Sequence, residues 1–142
     1  MKSKFSQIVK VKKQNLDKIG MRLARSRAEA VMIEGFIAEA NEQIASIKLP
    51  QSGQISQMKS SLELLNLARR EKEILTQRLE LTKKSIMHYE HQYKNANLEY
   101  EKIKYLESED FKSQITKIKR AEQNMLDEFG SIRHAYLKES GN

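Results

Sequence analysis

The chain has 142 residues, of which 39% are hydrophobic and 32% charged, with one proline, no tryptophan, no cysteine and a net charge of +7. That is enough for a single domain, and the polar balance points to long helices rather than a compact globule. The lack of cysteine excludes a disulfide framework and thiol-ligated zinc or iron–sulfur sites, and it fits a reducing cytosol.

The opening MKSKFSQIVKVKK is basic but has no apolar core of seven or more residues, so no secretory signal is expected. No run of about 18 apolar residues occurs, so no membrane insertion is expected either. Charge is uneven along the chain. Residues 1–27 carry Lys2, Lys4, Lys10, Lys12, Lys13, Lys18, Arg22, Arg25 and Arg27 against Asp17 alone, a local charge of +8, while the rest of the chain sums to −1. The positive excess marks the start of the first helix as a docking surface for an acidic partner, with Lys10, Lys13, Arg22 and Arg25 as its contact residues.

A first helix is predicted over about 3–48. Alternating steps of four and three residues from Phe5 visit Val9, Lys12, Leu16, Ile19, Leu23, Ser26, Ala30, Ile33, Ile37, Ala40, Ile44 and Ile47, a 3.5-residue repeat held for about six heptads. Lys12 and Asn15 read as register-fixing polar residues. A turn is predicted over about 49–54, where Pro50, Ser52 and Gly53 cluster. A second helix follows over about 55–138. Its stripe begins Ile55, Met58, Leu62, Leu65, slips phase near Ala68, which should overwind the coil locally, and continues Leu75, Leu79, Thr82, Ile86, Tyr89, Tyr93, Ala96, Tyr100, Ile103. The line breaks in LESED, between Leu106 and Asp110, and resumes as Phe111, Ile115, Ile118, Glu122, Met125, Phe129, Ile132, Tyr136.

Two apolar-striped helices joined by a short connection make an all-α fold: a long antiparallel two-helix coiled coil, an α-hairpin whose second helix is the longer, expected to form a single domain over 1–142. A reversal centred near residues 51 and 52 would set residue i opposite 103 − i. Phe5 would then face the region of Leu98, leaving an overhang of about 39 residues, or about 58 Å at 1.5 Å per residue. Phe111, Ile115, Ile118, Met125, Phe129 and Ile132 would have no intramolecular cover and would wait for a second protein or a second copy. Both ends are expected at one pole, basic and apolar, with the residues after about 105 the least ordered until a partner holds them.

Catalytic chemistry is not expected. The five glycines form no GxxxxGK[ST] or GxGxxG loop. His88 and His91, at i, i+3 beside Glu90, read as solvated helix residues rather than metal ligands, and neighbouring acids such as Asp127 and Glu128 have no pocket to shift their pKa. No catalytic residue, metal or cofactor is assigned. Tyr89, Tyr93 and Tyr100 read as core rather than as a base-stacking platform, and the dispersed bases of the first helix lack the aromatic interleave of a nucleic-acid site.

Taken with this layout, the closing segment EQNMLDEF resembles the FliJ family of flagellar type III export proteins. Gln123, Leu126, Asp127, Glu128 and Phe129 match that family's Q-x-x-[LM]-D-E-[FLA] pattern, whereas Gly130, Ile132 and Tyr136 depart from its usual Ala- and Arg-rich tail. The resemblance implies a non-enzymatic, cytoplasmic subunit, peripheral at the membrane-bound export apparatus and similar to the central stalk of rotary ATPases. It implies that the end carrying both termini binds the hexameric flagellar export ATPase and promotes its assembly, and that other surfaces meet the export gate's cytoplasmic domain and export chaperones. Asp127 and Glu128 join Phe129 as contact residues by this resemblance. Three other readings stand beside it: the stalk subunit of an injectisome or another rotary ATPase; a homodimeric structural coiled coil or weak homodimer made by pairing overhangs; and, ranked last, a nucleic-acid-binding helix protein acting through the basic first helix.

Overall fold

In a computed structural model, residues 2–49 and 54–140 are described; the expected turn residues Pro50, Ser52 and Gly53 lie outside them. Two helices make up the fold, α1 (Ser6–Ser46) and α2 (Ile55–Ser140), and no strand occurs among the described residues. The architecture is the expected all-α antiparallel two-helix coiled coil with the second helix longer. The chain groups into two compact units, one of residues 15–96 and one of residues 1–14 with 97–142.

In the unit of residues 15–96, α1 buries the line the repeat dictates. Leu16, Ile19, Leu23, Ala30, Ile33 and Ala40 are buried, Ile33 to 1% exposure, with Ser26, Ile37, Ile44 and Ile47 half-buried between them. From α2 come the buried Ala68 and Thr82, with Leu65, Leu75, Leu79, Ile86 and Tyr89 half-buried. Burying each large side chain of this line contributes about 1.5 to 3 kcal/mol before ordering costs. Tyr93 is more exposed than its stripe position predicts. Its ring lies over α1 at Gly20, where a Cβ would come within 3.4 Å of it, so the missing side chain gives the ring its seat. Two surface ion pairs, Arg27 with Glu90 at 3.1 Å and Arg78 with Glu29 at 3.2 Å, run across the helices and confirm their opposite directions.

Register is where the structure departs from expectation. Residue 20 meets 93, where a tight reversal would have put residue 83. The reason lies in the phase of α2. Leu65, Ala68, Leu75, Leu79, Thr82 and Ile86 fit one unbroken 3.5-residue line, with Lys72 half-buried within it, whereas Ile55 and Leu62 fall off that line and, with Met58, are exposed. Packing therefore selects the continuous line. Ile47, just past the end of α1, shares a surface cleft with Leu64, Leu67 and Ala68. The expected slip near Ala68 falls where α2 first buries a side chain fully among the described residues.

The unit of residues 1–14 and 97–142 shows the same shift. Lys12 pairs with Glu99 at 3.3 Å, not with the region of residue 91, and Ser3 meets Asp110 rather than residue 100. Lys13 and Lys104 each hold their ammonium groups 5.5 Å from the Tyr100 ring centre. The start of α1 is capped without a first-turn acid. Ser3 Oγ accepts from the Phe5 N–H at 3.2 Å while the Ser3 N–H donates to Ser6 Oγ at 3.1 Å, a reciprocal cap in which Ser6 stands where Glu or Gln is usual.

Candidate partner-docking site

Everything beyond the last contact with α1 belongs to this second unit. The end of the pairing is polar. Ser3, itself buried, donates its hydroxyl to Asp110 Oδ2, and Gln114 Nε2 donates to the same oxygen at 3.2 Å and to the Lys2 carbonyl at 3.1 Å. The Ser3 hydrogen bond, with help from Gln114 and the nearby Lys4 charge, holds the Asp110 carboxyl below the usual carboxylate range against its partial burial. This clasp explains the interruption in LESED: Asp110 occupies a stripe position because its partner there is a serine hydroxyl rather than an apolar side chain.

Pairing consequently runs about ten residues further than a tight reversal allows, and Phe111, expected to be uncovered, is half-buried. The free part of α2 is residues 115–140, about 39 Å of helix rather than about 58 Å. It remains helical to Ser140, with Lys138 in the last turn, where a cation complements the helix dipole. In the structure the segment after residue 105 continues α2 as one helix, rooted at the clasp.

Along this free segment the predicted stripe faces solvent: Met125 is 70% exposed, Phe129 66%, Ile132 69% and Tyr136 71%, while Ile115 and Ile118 are also exposed. Leu126 and Leu137 widen the face, and a shallow cleft is lined by Glu122, Met125, Leu126 and Phe129. The heptad line through Tyr136 does not include Leu137, which follows Leu126 by eleven residues, about three helical turns, and so lies on the same side as Leu126. Gln123 donates to Asp127 at 3.1 Å, an i, i+4 brace outside the stripe, and Glu128 is exposed beside it.

The basic contact residues are divided between the units. Lys10 and Lys13 are exposed in the unit that carries the free helix, whereas Arg22 and Arg25 are exposed in the other. A second set of bases went unnoticed because it is cancelled in the net charge of the later chain. Lys112, Lys117, Lys119 and Arg120 fall within 111–120 with no acid among them. His91, considered as a ligand, shares a 3.2 Å hydrogen bond with Asn95. Among the described residues no group of three or more His, Cys, Asp or Glu is placed to hold a metal, and no helix is long and apolar enough to cross a membrane.

Comparison with known proteins gives one finding. The family model described as "Flagellar FliJ protein" matches residues 1–138. No significant match is found among curated proteins or solved structures.

Proposed function

The chain belongs to the FliJ family, a component of the flagellar export apparatus, and from that premise we propose that it is a non-enzymatic, cytoplasmic stalk subunit whose free α2 segment docks into the hexameric export ATPase. The observation that carries this reading is the solvent-facing stripe of Met125, Phe129, Ile132 and Tyr136 on a helix that outruns its only partner in the fold. Large apolar side chains aligned in this way mark an interaction face, and aromatic anchors dominate the energy of such faces. In this reading the segment favours hexamer assembly and ATP turnover by binding the assembled ring, since a ligand that binds only one state stabilises it. The remaining exposed surfaces of the coil serve the export gate's cytoplasmic domain and export chaperones.

Parallel self-pairing of the same face is a poorer fit. Two copies aligned in parallel would set Glu122 against its own counterpart within the apolar line.

The test is titration of the same organism's flagellar export ATPase with this protein, following ATP hydrolysis and hexamer formation. Stimulation at near-stoichiometric amounts is expected, and it should be lost when residues 122–142 are deleted or when Phe129→Asp and Ile132→Asp are combined, with helicity nearly intact. Unchanged stimulation by the double variant would remove the stripe from the docking site. A stable dimer by sedimentation at micromolar concentration, with no effect on the ATPase, would support the homodimer instead.

A further inference from the structure

Within the unit of residues 15–96, the side of α1 turned away from α2 carries a second apolar line. Met21, Ala24, Ala28, Val31, Gly35 and Ala38 follow one another at alternating steps of three and four, about 150° around the helix from the buried line of Leu23, Ala30 and Ile33. All six are exposed, Val31 to 68%, and the exposed Met32 stands at the edge of the line. The equivalent outward positions of α2 across the coil, Gln77, Glu80, Lys84, Met87 and His91, are polar in all but one. Two helices of one coil thus differ on their outer faces: α2 presents an ordinary solvated face, and α1 repeats the heptad signature of a covered one.

The charges beside the line identify what covers it. Lys18, Arg25, Met32 and Glu39 stand along one edge, and Gly20, Arg27, Glu34 and Asn41 along the other. Both edges run from basic near the start of α1 to acidic near its end, so the face is complementary to itself when reversed. The line is centred between residues 29 and 30, and an antiparallel second copy sets residue i opposite 59 − i. Met21 then meets Ala38, Ala24 meets Gly35 and Ala28 meets Val31, each pair occurring twice by two-fold symmetry. On the edges, Lys18 comes to Glu39 of the second copy and Arg27 to Glu34 of the second copy, each within two residues of level, or about 3 Å along the axis, while Arg25 lies against Met32. Arg27 holds Glu90 of its own chain but keeps more than half of its side chain in solvent. No edge pair is like-charged, whereas a parallel copy would set Glu34 against Glu39. Asp17 and Glu42 are the next residues of the line and would face each other, which confines the contact to about 26 Å of helix.

We propose that this face of α1 joins two copies of the chain in an antiparallel, two-fold dimer. The interface uses no residue of the free α2 segment and stands apart from the docking of the tip.

Sedimentation equilibrium of the full chain from about 10 to 500 µM, a range suited to a small interface, tests the dimer. The wild-type protein should pass from monomer to dimer within that range. Val31→Glu should weaken association at least about tenfold, because it places a carboxylate in an apolar layer twice per dimer. Glu is a better helix former than Val, so circular dichroism should not fall. Lys18→Glu and Glu39→Lys should each weaken association about threefold or more at low salt, and the two combined should restore it, since the swapped pair attracts again. Phe129→Asp combined with Ile132→Asp should leave the dimer unchanged. A wild-type monomer throughout the range, or a dimer indifferent to Val31→Glu, overturns the proposal; if that dimer is lost in the Phe129 and Ile132 variant, the copies pair through their free segments instead. A dimer weakened by Val31→Glu in which the combined swap recovers nothing overturns the antiparallel register.

Discussion

Residues 16–40 of α1 and residues 115–136 of α2 carry the same spacing of apolar side chains, yet one stretch is sealed and the other is open to water. Ile33 has almost no exposed surface, whereas Phe129, an equally apolar member of an equally regular line, keeps most of its surface in solvent. A 3.5-residue repeat therefore encodes the capacity to be covered, and register decides which residues receive cover. Here register follows from the phase-continuous line of α2 from Leu65 onward, and the Ser3–Asp110–Gln114 clasp marks where cover ends.

The contrast is sharpest under truncation. Ile33→Ala should destabilise the coil by about 2 to 5 kcal/mol, because it removes packed methyl groups from a site that cannot collapse around the gap. Phe129→Ala should change stability by no more than about 0.5 kcal/mol, as expected of an exposed position. Urea unfolding followed by helical circular dichroism separates the two, and a Phe129 effect as large as that of Ile33 would mean that the tip is already covered in the isolated protein.

Glycine replacement sharpens the same comparison at smaller scale. A Cβ at either Gly35 or Gly130 would meet nothing within 4 Å. Alanine at each should improve local helix propensity by about 0.8 to 1 kcal/mol. At Gly35 this should appear as a higher midpoint for the paired coil. At Gly130 it should appear only as slower amide exchange in residues 122–138, with the unfolding midpoint unmoved, since no tertiary contact couples the free helix to the core.

The smallest expected effect comes from the clasp. Because the Asp110 pKa is lowered in the folded state, its contribution is complete above the ordinary carboxylate range and is lost as pH falls through the depressed folded value. Amide exchange at Phe5 and Ser6 should therefore stay slow from neutrality down to that range and quicken only under stronger acid. Asp110→Asn, with no carboxylate to titrate, should abolish the transition; a transition that survives the substitution would assign it to another group.

Much of this was legible in the residues. All thirteen stripe positions of α1, from Phe5 to Ile47, are buried or half-buried, because heptad spacing and burial share one geometric cause. The helix ends fell within a few residues of expectation, as did the exposure of Met125, Phe129 and Ile132. Register was not legible, since the apolar steps through Ile55, Met58 and Leu62 offered a competing phase and only packing chooses between phases. The clasp was hidden for a related reason: Asp110 on a core line looks like an interruption until Ser3, 107 residues earlier, is brought against it. The basic band escaped notice because net charge is a sum, and a sum discards order along the chain.

The clasp also acts as a gauge. Its two halves sit at fixed addresses, Ser3 just before α1 and Asp110 with Gln114 on α2, so the length of exposed helix is the distance from Gln114 to the end of α2. Inserting one heptad into the paired part of α1 would slide Ser3 about 10.5 Å along α2 and set the region of Lys10, rather than Ser3, against Asp110. The reach of the tip is thus written by a serine at the opposite end of the sequence.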